Sequence, residues 1–154
     1  MAFFNTMNVS ASGLTAQRLR MDTIAENIAN VNTTRTADGG PYRRKTVLFE
    51  EISNNDPFSM VFNSIFGNGS HVPAPAGMGV RVTNIVQDDT PGLLTYDPTH
   101  PDADEDGYLR MPNVNIVEEM VNMIAASRSY EANITAMGVS RTLTQRTLEI
   151  GSGR

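Results

Sequence analysis

The chain has 154 residues, a formal net charge of −5, two histidines, no tryptophan and no cysteine. That length holds one small core, with or without long helical arms. Without cysteine there are no disulfides, zinc–thiolate sites or thiol nucleophiles; the acidic balance argues against nucleic-acid binding, because the one basic cluster, Arg43-Arg44-Lys45, is too short to reverse it.

The first element is a helical pattern over residues 3–32. Met7, Leu14, Met21 and Ile28 share one heptad position. Ile24 and Val31 share the other, where Ser10 and Gln17 dilute it. The pattern stops at Asn30-Val31-Asn32-Thr33-Thr34, residues that cap or turn rather than continue a helix. A stripe of this kind is expected to be buried against another helix. Asn27 and Asn30 lie three apart, so both could hydrogen-bond one neighbour. After the breaker Asp38-Gly39-Gly40-Pro41, a strand is expected over 45–52, with Val47 and Phe49 on one face and Thr46 and Leu48 on the other. Arg43–Lys45 reads as its solvated start.

Residues 53–79 alternate Asn-, Gly- and Pro-rich turns with Phe58, Val61, Phe62, Ile65 and Phe66. This is expected to be a flexible loop whose aromatic content points to docking on its own chain or on a neighbour. Three short strands follow, over 79–87, 92–96 and 108–111. In the first, Val80 and Val82 oppose Arg81 and Thr83. Asp102, Asp104, Asp106 and Gly107 match the opening of an EF-hand loop. Asn113, however, stands where that loop needs a bidentate glutamate, and Pro98 and Pro101 forbid an entering helix. An acidic turn is expected there, without a metal. No serine or threonine is paired with a histidine at suggestive spacing, and no glycine-rich phosphate loop follows a strand. Neither a catalytic site nor a cofactor is expected.

From Asn113 to Ile150 there is no proline, and the only internal glycine is Gly138. Asn115 and Glu118 form an N-cap and capping-box candidate. Ile116, Met120, Met123, Tyr130, Ile134, Met137 and Leu148 then recur at steps of three and four, with polar Ser127, Arg141 and Thr144 completing the seam. A second stripe runs through Ala132, Ala136, Val139, Leu143 and Ile150. One N-terminal helix can cover one stripe, not both. The expected class is α+β. Long N- and C-terminal helices (1–34 and 113–154, with a short tail) would pack as a coiled-coil-like pair around a small β-rich insertion (35–112).

The stretch ENIANVNTT, Glu26 to Thr34, resembles the N-terminal signature of the bacterial flagellar rod, hook and hook–filament-junction family. Tyr42–Glu51 and Tyr96–Ile134 are similar to its proximal-rod branch, and the matching regions cover well over half of the chain. The resemblance implies a non-enzymatic structural subunit that polymerises through its terminal helices into a hollow, torque-transmitting rod around the export channel. The candidate subunit-interface residues are Leu14, Met21, Ile24, Asn27, Ile28, Asn30, Val31 and Asn32 on the first helix. On the second they are Met120, Met123, Tyr130, Ile134, Met137, Val139 and Leu143. Implied partners are further copies of the chain, other rod subunits, the rod-base adaptor protein at the MS ring and the flagellar type III export apparatus.

The implied location is the periplasmic rod of the basal body, reached without a cleaved signal peptide. In keeping with that, MAFFNTMNVS lacks a basic n-region, an apolar core and a small-residue cleavage site, and no apolar run is long enough to span a bilayer. The competing readings are a cytoplasmic helical-hairpin adaptor that binds one partner, and another subunit of the rod family. Met111–Met120 argues against the second.

Overall fold

The computed structural model describes residues 2–37, 39–52 and 78–151, with side chains described from Asn5 onward. Helix α1 (Ala2–Ala29) and helix α2 (Ile116–Gly151) bracket strands β1 (Lys45–Glu51), β2 (Val80–Gln87), β3 (Leu94–Tyr96) and β4 (Tyr108–Arg110). The class is α+β, and each predicted helix and strand forms within a few residues of its expected place. Of the loop expected over 53–79, residues 53–77 lie outside the described residues, as does the tail from residue 152.

Two contacts fix how the helices pair. Asn27 of α1 hydrogen-bonds Glu119 of α2 at 2.9 Å. Further along, a Cβ on Gly13 would stand 3.0 Å from the Asn133 side-chain oxygen. The helices therefore run antiparallel in matched register. Small residues line the seam: Ser10, Gly13 and Ala16 are buried on α1, and Ala126 is fully buried on α2. Where these small residues meet, the two backbones can approach closely.

This pairing corrects the predicted seam of α2. Met123, Tyr130, Met137 and Thr144 are half-buried along one edge, as that seam requires. The other edge is Glu119, Ala126, Asn133 and Ser140, not Met120, Ser127, Ile134 and Arg141. Ile116, Met120 and Ile134 are turned outward and are 44 %, 54 % and 48 % exposed. The cause is on α1. Ser10, Gly13, Gln17 and Asn27 offer hydrogen bonds and close approach, which suit small or polar partners and leave no socket for a methionine or isoleucine. The fit is imperfect at Gln17, whose side-chain oxygen is buried without a hydrogen-bond partner.

The strands form two separate antiparallel pairs. In β1–β2 the register slips between Leu48, opposite Asn84, and Phe49, opposite Val82, which leaves Thr83 as a bulge. Val47 is buried while Thr46 and Leu48 are exposed, the alternation expected of a strand covered on one side. Both strands lie against α1. At the start of β2, the Val80 N–H donates to the Ser12 hydroxyl of α1 at 3.1 Å. Gly79 just before it has φ of 127°, and a Cβ there would collide with that hydroxyl. Only glycine fits this approach.

The β3–β4 hairpin closes through Gly107, at φ 76°. Its acidic turn is tied to the exit of α1: the Thr34 hydroxyl donates to Asp102 at 2.8 Å, and Arg35 pairs with the same carboxylate at 3.8 Å.

Candidate assembly surfaces and the joint between the helices

Asn27, two residues before the end of α1, is 1 % exposed. Its amide nitrogen donates to the Lys45 carbonyl and to Glu119, both at 2.9 Å. Its oxygen accepts from the Lys45 N–H and the Tyr42 hydroxyl, also at 2.9 Å. A carboxamide has two N–H donors and two acceptor lone pairs, so Asn27 is saturated. One side chain thereby joins the end of α1, the entry to β1 and the first turn of α2.

Glu119 is the charge beneath that joint and is also 1 % exposed. Its second oxygen receives Arg44 Nε at 2.8 Å and Nη2 at 2.6 Å. Both carboxylate oxygens are therefore occupied by donors, the condition under which a buried charge is tolerated. Arg44 also reaches Glu118 at 3.3 Å. Its backbone N–H is held by the Asn113 side chain at 2.8 Å, whose amide in turn donates to the Asp88 carbonyl at 3.0 Å. Asn115 caps α2 as predicted, accepting from the Val117 N–H at 3.0 Å.

Arg44 thus corrects the reading of Arg43–Lys45 as a wholly solvated strand start. Arg43 remains exposed and pairs with Asp89, whereas Arg44 turns inward. Glu119, Arg44, Tyr42 and Asn113 escaped the sequence reading. The one signal for them was the adjacent pair Glu118-Glu119 opening a helix, whose side chains point about 100° apart and so need not share an environment.

Tyr42 records the electrostatics of this joint. Burial, reinforced by the negative charges of Glu26 and Glu119, raises its phenol from 10.0 to about 12. The folded state holds this proton more tightly than the unfolded chain does. The stabilisation is therefore complete below pH 10 and is lost as pH rises through 12. In a spectrophotometric alkaline titration, one of the four tyrosines should ionise near pH 12 and should vanish from the curve in Tyr42→Phe. A curve with no component near pH 12, or one whose component persists in Tyr42→Phe, would contradict the burial.

The remaining candidate residues fall into two groups. On α1, Ile24 is buried, Leu14, Met21, Ile28 and Val31 are half-buried, and Asn32 is exposed. Asn30 is half-buried and bonds the Glu26 carbonyl at 2.9 Å, so it shares no partner with Asn27. On α2, Met123, Tyr130 and Met137 border α1, whereas Met120, Ile134, Val139 and Leu143 stand outward. The outward residues continue into Val117, Val121 and Ile124, which are 70 %, 61 % and 53 % exposed. That is far more apolar surface than one helix of a soluble monomer ordinarily leaves in water. Among the described residues, no group of three or more His, Asp or Glu is placed to hold a metal, and no helix is long and apolar enough to cross a membrane.

A saturated joint between the helices, and a long helix that exposes apolar side chains away from its partner, are features of a subunit that packs against neighbours. The sequence agrees. Residues 7–35 match the family model described as flagella basal body rod protein, and residues 105–150 match that of the flagellar basal body rod FlgEFG protein C-terminal region. These matches cover most of α1 and all but the last residue of α2, and they define the class as flagellar rod proteins. The flagellar basal-body rod protein FlgC of Borreliella burgdorferi is 48 % identical over 99 % of this chain and 100 % of its own length. That of Bacillus subtilis is 46 % identical over 98 % and 99 %, and that of Escherichia coli O157:H7 is 36 % identical over 98 % and 99 %. The chain belongs to the flagellar basal-body rod protein FlgC family and is a structural subunit of the rod.

Proposed function

We propose that the chain polymerises through its terminal helices, with copies of itself and with other rod subunits, into a hollow shaft that transmits torque around the export channel. In this reading it reaches the periplasm through the flagellar type III apparatus and meets the rod-base adaptor at the MS ring. The observation that carries the proposal is the outward apolar side of α2. Val139, Leu143 and Ile150 are 55 %, 59 % and 81 % exposed, and α1 is already committed to the opposite side. Such a surface is stable in water only when neighbours cover it, and contacts of unlike surfaces propagate helically when they do not close.

Basal bodies purified from the source bacterium and stripped of peripheral proteins should retain the chain in several copies each. A strain lacking it should build no hook and should not swim. Recovery of the chain only in a soluble cytoplasmic complex, with normal basal bodies in the deletion strain, would instead identify an adaptor.

A further inference from the structure

The β3–β4 hairpin carries apolar residues on both of its faces, unlike an ordinary half-covered sheet. Its register places Leu94, Tyr96, Tyr108 and Arg110 on one face and Thr95 and Leu109 on the other. Leu109 is buried whereas Thr95 is exposed, so the second face is covered only at Leu109. The outward face is the aromatic one: Leu94, Tyr96 and Tyr108 are 54 %, 65 % and 47 % exposed, and the two rings meet edge to face at 5.4 Å. Leu93 beside them is 75 % exposed. The turn next to this face carries Asp104, Glu105 and Asp106, all exposed and none in an ion pair with a described residue.

A surface of complementary character lies on α2. Val121, Arg128, Val139, Leu143, Arg146 and Ile150 recur at intervals of a helical face, on the side away from α1. The four apolar members are each more than half exposed, and Arg128 and Arg146 have no ion-pair partner within the described chain. One surface is aromatic, with an acidic edge at the turn and Arg110 at the end away from it; the other is aliphatic and flanked by arginines.

The two cannot meet within one chain. The hairpin is held at the start of α2, where the Met111 N–H bonds the Leu93 carbonyl at 2.9 Å and Asn113 is fixed by Arg44. Leu143 lies about 40 Å further along the same straight helix at 1.5 Å per residue. The hairpin therefore sits at one end of α2 and the distal part of the stripe, from Val139 to Ile150, at the other. A contact between them joins unlike surfaces of different molecules, head to tail.

We propose that the outward face of the β3–β4 hairpin receives the Arg128–Ile150 stripe of α2 from a second copy of this chain, its acidic turn pairing with the flanking arginines. This rests on the reading of the chain as a polymerising subunit and names one of the contacts. Because the protein has no cysteine, single cysteines report proximity cleanly. Full-length Glu105→Cys and Arg146→Cys proteins, mixed and mildly oxidised, should form a disulfide-linked heterodimer. Glu105→Cys with Arg141→Cys, on another side of α2, should not.

In sedimentation of the full chain, Asp106→Arg and Arg146→Asp should each weaken self-association roughly tenfold, and combining them should restore it. Restoration could not arise from folding, since both positions are exposed. No heterodimer, equal cross-linking at Arg141→Cys, or an additive loss in the double variant would overturn the contact. If the chain is nevertheless retained in basal bodies, only this contact falls. If the heterodimer forms but basal bodies lack the chain, the rod assembly reading falls instead.

Discussion

Arg44→Ala should destabilise the isolated chain by about 3–5 kcal/mol, the usual cost of removing one partner from a buried ion pair. Glu119 would remain 1 % exposed with one oxygen bare. Either the carboxylate stays charged in a site that cannot solvate it, or water enters and separates α1 from α2. Lysine should rescue only partly, because it cannot offer the paired Nε and Nη2 contacts. Arg43→Ala is the control. Its pair with Asp89 is exposed on both sides, 58 % and 80 %, and such pairs contribute about 0–1 kcal/mol. Urea unfolding followed by circular dichroism separates the two variants. A loss in Arg44→Ala no larger than in Arg43→Ala would show that Glu119 is hydrated.

Ile24→Glu and Ile134→Glu should both stop rod assembly, for different reasons. Ile24 is 5 % exposed, and a glutamate there would be an unpaired buried charge that costs several kcal/mol and melts the helix pair before any subunit meets another. Ile134 is 48 % exposed, so the same substitution should change the isolated chain by less than about 0.5 kcal/mol. Its effect should emerge only in cells, as loss of rod assembly and motility. Thermal melts of the purified variants, set beside swimming assays, resolve the two. Swimming at the wild-type rate by Ile134→Glu cells would remove Ile134 from the assembly surface. A large drop in the melting point of purified Ile134→Glu would place it in the core.

The contrast between these isoleucines marks the limit of what periodicity reveals. Repeats of three and four located both helices, because they require only that apolar residues recur on a face. They could not set the rotation of α2. Its apolar residues lie on several sides, and the side α1 selects is the small, polar one through Glu119, Ala126 and Asn133. A rule that buries the largest side chains therefore chooses the wrong edge whenever the partner helix is lined by serine, glycine and asparagine. The strands were legible from alternation at Val47 and Val80, but a bulge such as Thr83 depends on the partner strand and leaves no local trace. The joint was hidden for another reason. Arg44 and Glu119 are 75 residues apart, and their pairing exists only after the chain has folded. Function was read from resemblance in Glu26–Thr34 and Tyr96–Ile134, because a subunit without a reaction has no chemical signature of its own.

The matched register of the two helices also restricts how the chain can change length. Asn27 against Glu119 and Gly13 against Asn133 are correspondences separated by the same number of residues on each helix. One residue inserted between Gly13 and Asn27 would rotate the start of α1 by about 100° and shift it by about 1.5 Å, which breaks the second correspondence while the first holds. Only an equal insertion between Glu119 and Asn133 restores it. The two ends of the coding sequence are thus tied to a common ruler across a long intervening stretch. An insertion within that stretch, between β1 and β2, would leave the ruler undisturbed. Relatives of different length should accordingly differ in the middle of the chain and agree at its ends.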